Sequence, residues 1–328
     1  MAETSFDPRE SASRLLNSIG GAPVESVTAL PGGRNNRVWK VAAEGGLFLL
    51  KHYYWSPEDP RDRLGQEWDF LTFLQDAGIE TAPAPMAKDG SLRAALFEFI
   101  DGCPIPPGAV TAEDIRAAIF FFEKMNSHRH LGGHLRPVSE GCFSLSEHLT
   151  STAKRVDRLA AISLHLYPEV DVFVQQELQP VWEVVRDRLV SAKAFNVPLS
   201  GDERCLSPSD FGFHNSLRQK DGRVRFIDFE YAGWDDPAKT VADFCNQPDG
   251  ILPDHLAQHF RDAVDRAFPG LDRRMHLLEP LYQIKWACIC LNPFGPGGRF
   301  DPNRPDRSPE VQLGRARAMA QRARKAIG

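Results

Sequence analysis

The chain has 328 residues, 42% apolar and 25% charged, which is enough for two lobes with their own cores and too apolar for wholesale disorder. A formal net charge of −5 gives no electrostatic reason to expect nucleic acid or an anionic membrane as the main partner. No apolar run has the length of a membrane span, and the start lacks the basic and apolar regions of a leader, so a cytoplasmic protein is expected.

Residues 9–19 carry Leu15, Leu16 and Ile19 at helical spacing and stop at Gly20-Gly21. Residues 24–30 then alternate as a strand, and a loop with Gly32, Gly33 and Asn36 leads to a second strand over 38–41. Two glycines between strands let backbone N–H groups approach phosphates without a Cβ in the way, although such a turn is often only a turn. The third strand, 47–53, places Lys51 by alternation on the face of Leu47 and Leu49, where a charge needs a partner. The helix expected over 61–77 supplies one, because Glu67 lies at the edge of the stripe formed by Leu64, Trp68, Leu71 and Leu74.

Gly78, Pro83 and Pro85 end that helix and enforce an extended connection. Strands near 86–88 and 93–100 close a five-stranded antiparallel sheet, and the Pro-rich stretch 103–109 marks a boundary, giving lobes of 1–101 and 102–328. The second lobe reads as mainly helical. Ile115, Ala118, Ile119, Phe122 and Met125 follow helical spacing, as do Leu149, Val156 and Leu159. A long helix over 170–193 should kink or divide at Pro180, and further helices are expected over 252–267, 274–292 and from 309 onward. The Gly- and Pro-rich run 294–307 reads as a surface loop or disordered stretch. Six cysteines without Cys-x-x-Cys spacing fit reduced thiols, and the histidines at 128, 130 and 134 read as a loop without zinc.

The densest chemistry lies between residues 206 and 243. Asp210 is followed by Asn215, then by the turn signal Gln219-Lys220-Asp221-Gly222, then by a short apolar run ending at Asp228. A hairpin there folds Asn215 back towards Asp228. An amide and a carboxylate so placed suit Mg²⁺ on nucleotide phosphates, and Asp210 is left to orient an attacking hydroxyl. Asp210 to Asn215, with Ile227-Asp228-Phe229-Glu230-Tyr231-Ala232-Gly233, resembles the catalytic and metal-binding segment of the aminoglycoside phosphotransferase and choline kinase-like superfamily.

That resemblance implies a bilobal protein-kinase-like fold, α+β, with ATP and Mg²⁺ as cofactors. It implies that Gly32, Gly33 and Asn36 cover the triphosphate and that Lys51, paired with Glu67, holds the α and β phosphates. It also gives Glu98, Phe99 and Ile100 the adenine edge, Asn215 and Asp228 the metal, and Asp210 the catalytic role. The expected function is transfer of the γ-phosphate to a hydroxyl of a small molecule such as an amino alcohol, sugar or aminoglycoside-like compound, with no nucleic-acid or membrane partner. Two departures stand out. Pro208 occupies the place of the family's usual histidine two residues before the catalytic Asp, and Thr240 that of a structural Asp for which Asp243 is the nearest substitute. The first departure raises a nucleotide-binding pseudokinase as an alternative. A protein kinase is the other, but only eight positions separate Asp228 from Asp236, too few for a peptide-docking activation segment.

Overall fold

The computed structural model describes residues 6–31, 36–162, 166–248, 250–302 and 304–328. Its contacts divide the chain into two compact units, one of Met1–Ile105, Phe120–Ser139 and Pro208–Gly233, the other of Pro106–Ile119, Glu140–Ser207 and Trp234–Gly328. The segment holding Asp210, Asn215 and Asp228 therefore groups with the strands that open the chain.

In the first unit, helix α1 (Pro8–Ser18) begins where the Asp7 carboxylate accepts from the N–H groups of Arg9 and Glu10. Its Ala12, Leu15 and Leu16 bury against Val24, Val41, Leu50 and Leu96 of the sheet. Strands β1 (Val24–Ala29), β2 (Arg37–Ala43), β3 (Gly46–His52), β4 (Pro85–Asp89) and β5 (Ala94–Glu98) form one five-stranded antiparallel sheet in the order β1-β2-β3-β5-β4. Leu50 is buried on the α1 side, so alternation turns Lys51 to the opposite face, where it is buried too. Leu47, two alternations from Lys51 on the same face, is 44% exposed, sitting one residue into the strand beside the turn at Gly45. Helix α2 (Arg63–Asp76) starts two residues later than the periodicity suggested, where Asp62 caps it by accepting from the Gly65 N–H at 2.9 Å.

The expected hairpin forms. Ser216 pairs with Phe226 and Arg218 with Val224, and Gly222 closes the turn with φ at +86°, a conformation glycine adopts without strain. Phe121, from helix α3 (Ala112–Ser127), stacks on Phe226 at 4.9 Å, while Phe229 stacks on Phe70 of α2 at 5.5 Å. The hairpin and the residues after Asp228 are thus anchored by buried aromatic rings.

The second unit is helical. Helix α4 (Leu145–Arg158) opens with a capping box of Ser144 and Glu147. Helices α5 (Pro168–Phe173) and α6 (Gln179–Val190) are joined by a π-helical turn at Val174–Leu178, so Pro180 is accommodated by a widened backbone just before it rather than by a break. Helices α7 (Pro237–Cys245), α8 (Asp254–Ala267), α9 (Leu271–Leu291) and α10 (Pro309–Ile327) follow, with α10 burying Leu313, Ala316, Met319 and Ala323. Phe294, in the run expected to be a surface loop or disordered, is buried against Tyr167 and Phe300, each ring at 4.9 Å.

A chain of buried charges ties these helices together. Asp236 caps α7 by accepting from the Ala238 N–H and also receives His148 at 2.9 Å and Arg274 at 2.5 Å. His148 donates from Nε2 to that carboxylate, so its Nδ1 accepts from the Tyr282 hydroxyl at 2.7 Å. Lys239 lies between Asp235 at 2.9 Å and Asp243 at 3.0 Å, and Lys285 stands 3.7 Å from Asp243 and 3.6 Å from Glu140. Asp243 is thereby engaged with two lysines. Thr240 of α7 meets the strand before Pro208, with its hydroxyl 3.4 Å from Cys205 Sγ.

Candidate active site

Lys51 leaves β3 on the face away from α1 and ends between two carboxylates, 2.6 Å from Glu67 Oε2 and 2.6 Å from Asp228 Oδ1. Tyr53, two residues along and so directed the same way, donates its hydroxyl to that Glu67 oxygen at 2.7 Å. The Phe229 N–H donates to the other oxygen at 3.2 Å. Burial works against the Lys51 ammonium, but the Asp228, Glu67 and Glu230 carboxylates outweigh it and hold its pKa above the ordinary lysine value. Burial lifts the Glu67 carboxyl, yet three donors on one carboxylate favour its ionised form, and the two side chains form an ion pair. Burial, with Glu67 beside it, also pushes the Tyr53 phenol up, which keeps it a donor at neutral pH.

Asp228 differs from Glu67 in two respects. Its side chain is 40% exposed, and its backbone sits at φ +68°, where an L-residue is strained unless its surroundings enforce the conformation. The enforcing contacts are visible on both sides. The Ile227 N–H donates to the Asn215 carbonyl at 2.9 Å, Phe229 is fully buried, and Glu230 accepts from the Asn36 amide. Gln66, next to Glu67 on α2, donates to the carbonyls of Pro137 at 3.0 Å and Ala232 at 2.9 Å, which fixes the chain beyond.

The Asp210 loop is held in a similar manner. Ser209 sits at φ +68°, and the Asn215 side-chain N–H donates to the Asp210 carbonyl at 3.0 Å, so of its amide the oxygen is the atom able to act as a metal ligand. His214 Nε2 lies 3.1 Å from Asp210 Oδ1. Asn215 and Asp228 offer an amide and a carboxylate oxygen, donors of the kind that Mg²⁺ takes together with phosphate and water oxygens.

Lys51, Glu67 and Asp228 are therefore joined directly, and Asp210 and Asn215 share one loop. Gly32 and Gly33 lie outside the described residues. Asn36 is 7% exposed and spends its amide on Glu230 and its carbonyl oxygen on the Tyr54 N–H at 3.0 Å, so it anchors the end of the glycine loop. Glu98 ends β5 with its N–H donated to the Ala84 carbonyl and its carboxylate paired to Arg225 at 2.8 Å; Phe99 and Ile100 follow the strand. Tyr53, Gln66, His214 and Glu230 were not singled out from sequence. Tyr53 had a signal in its same-face spacing from Lys51; His214 had one in its position four residues after Asp210.

The sequence model of the phosphotransferase enzyme family matches residues 26–277. No curated protein matches the chain. Among solved structures, a spectinomycin phosphotransferase crystallised with ADP and spectinomycin is similar at 12% identity and a TM-score of 0.63, covering 97% of this chain and 98% of its own. The choline kinase of Streptococcus pneumoniae is similar at 15% identity and 0.59, covering 93% of each chain. A choline/ethanolamine kinase family protein from Mesorhizobium loti is similar at 18% and 0.59, covering 97% of this chain and 98% of its own. At these identities the likeness is one of fold, and that fold is kinase-like, with an antiparallel five-stranded sheet and a helical C-terminal part.

Proposed function

The chain belongs to the phosphotransferase enzyme family, and from that premise we propose that it transfers the γ-phosphate of ATP, with Mg²⁺, to a hydroxyl of a small molecule such as an amino alcohol, a sugar or an aminoglycoside-like compound. The observation that carries this reading is Lys51, held 2.6 Å from both Glu67 and Asp228 in a buried setting with one half-open carboxylate. A lysine so fixed binds the α and β phosphates with its ammonium already oriented, and Asp228 has room to exchange that contact for a metal. Asn215 and Asp228 would hold Mg²⁺, which supplies charge neutralisation on the β and γ phosphates. Asp210 receives the proton of the acceptor hydroxyl as its oxygen bonds to the γ-phosphorus and the bond to the β-bridging oxygen breaks, releasing ADP. The adenine-reading role falls to the backbone of Glu98, Phe99 and Ile100, with Glu98 offering its carbonyl oxygen, since its N–H and carboxylate are engaged within the protein.

Phe229, Glu230, Ala232, Gly233, Asp235 and Asp236 are all buried, which speaks against a peptide platform between Asp228 and Pro237. No described helix is long and apolar enough to cross a membrane, and a cytoplasmic location is part of the proposal. The test is ADP release by the purified protein with Mg²⁺, ATP and panels of amino alcohols, sugars, nucleosides and aminoglycosides. One panel should stimulate release. Nucleotide binding with no stimulation by any compound would favour a pseudokinase, and label transfer to peptides alone would make it a protein kinase.

A further inference from the structure

Pro208 has neither a side-chain donor nor a backbone N–H, so at that position nothing replaces the hydrogen bond a histidine would give. The loop nevertheless holds Ser209 at φ +68°, which requires other contacts to enforce it. His214 supplies such a contact from the other side of Asp210. It lies in the short turn Phe213–Asn215, four residues on, with Nε2 3.1 Å from Asp210 Oδ1. An ionised carboxylate only accepts, so Nε2 carries the hydrogen and donates it. The turn is itself fixed. Phe213 is buried beside Phe226, the Asn215 N–H donates to the Gly212 carbonyl at 3.1 Å, and the Asn215 side chain donates to the Asp210 carbonyl at 3.0 Å. The imidazole is delivered to Asp210 by backbone held at both of its ends.

We propose that His214 is a positioning residue that stands in for the histidine absent at 208, holding the Asp210 carboxylate in the orientation from which it receives the acceptor proton. The inference rests on the phosphotransfer reading above. His214 keeps its own hydrogen throughout the step; the transferred proton goes to Asp210. In this arrangement one loop supplies both the carboxylate and a donor that aims it.

The test compares wild type with His214→Ala and His214→Gln, the latter keeping an N–H near the place of Nε2. Turnover is measured with an active acceptor, and binding is measured separately with Mg²⁺ and a non-hydrolysable ATP analogue. Loss of the imidazole should lower kcat about tenfold or more while leaving KM for ATP and the analogue Kd within about twofold, because only the aim of Asp210 is lost. The glutamine variant should recover most of kcat. Wild-type kcat in His214→Ala overturns the proposal, as does a glutamine variant as slow as the alanine one, or analogue binding that falls as far as kcat. Wild type that binds the analogue but phosphorylates no small hydroxyl compound defeats the functional reading instead. The contact is then decided by nitrogen NMR of His214 in wild type and Asp210→Asn: a shifted Nε2 signal upholds it and an unchanged one overturns it.

Discussion

Each compact unit contains a lysine buried between two carboxylates, and the two lysines are placed for different ends. Lys239, 2% exposed, sits between Asp235 at 0% and Asp243 at 5%, on ordinary helix and strand backbone. Lys51, 6% exposed, sits between Glu67 at 4% and Asp228 at 40%, and Asp228 has a strained backbone. Burial opposes both ammonium groups, and paired carboxylates hold both pKa values above the ordinary one. Burial and pairing therefore do not separate a site from a scaffold. The difference lies in the open carboxylate, which can change partners without exposing an unpaired charge in the core.

Replacing the open member should strike function and spare the fold. Asp228→Asn is expected to lower turnover about a thousandfold, with loss of Mg²⁺-dependent nucleotide binding. Its thermal midpoint should stay near that of wild type; a large drop would make Asp228 structural and erase the contrast. Replacing the closed lysine should do the reverse. Lys239→Met leaves Asp235 and Asp243 buried without their common partner, a loss of about 3–5 kcal/mol of stability. Denaturant unfolding measures it, and an unfolding free energy equal to wild type would show that Lys239 holds nothing together. Tyr53→Phe sharpens the comparison from within the first cluster. It removes one donor to Glu67, worth about 2 kcal/mol for a bond to a charged group, and KM for ATP should rise several-fold. No change in KM or stability would show that Tyr53 does not steady the ion pair.

The smallest effect concerns pH. Burial, with Arg93 and Arg37 nearby, pulls the His52 imidazole down to about 4 from an ordinary 6.5. The unfolded chain then takes up the proton first, so stability is intact above 6.5 and declines as pH falls towards about 4. His52 is partly exposed, so solvent screening keeps the effect small. Thermal midpoints from pH 7 to 4.5 should fall less steeply in His52→Gln than in wild type, and parallel curves would discount the group.

The sheet, the helix carrying Glu67 and the hairpin between Asn215 and Asp228 were legible because each has a strong local signal: alternation, a helical stripe, a Gly-closed turn. Lys51 and Glu67 were legible as a pair because a charge in an apolar strand demands a partner. The joint at Asp228 was not, since it depends on contacts between residues 177 positions apart that no local pattern encodes. Lys239 had a local signal, standing four residues from both Asp235 and Asp243, whereas the links that close its network through His148 of α4 and Lys285 of α9 are long-range and escaped. Pro180 suggested a kink or a break, and the π-helical turn before it is a third solution that composition cannot separate from the other two.

Asp210 tests the phosphotransfer reading most directly, because the proposal gives it the reacting hydroxyl and no part in holding the nucleotide. The measurement is turnover of Asp210→Ala with an active acceptor, paired with titration of Mg²⁺ and a non-hydrolysable ATP analogue. Turnover should fall by about 10²–10⁴ while the analogue binds within about twofold of wild type. Equal ADP release by the variant and wild type would contradict the assignment.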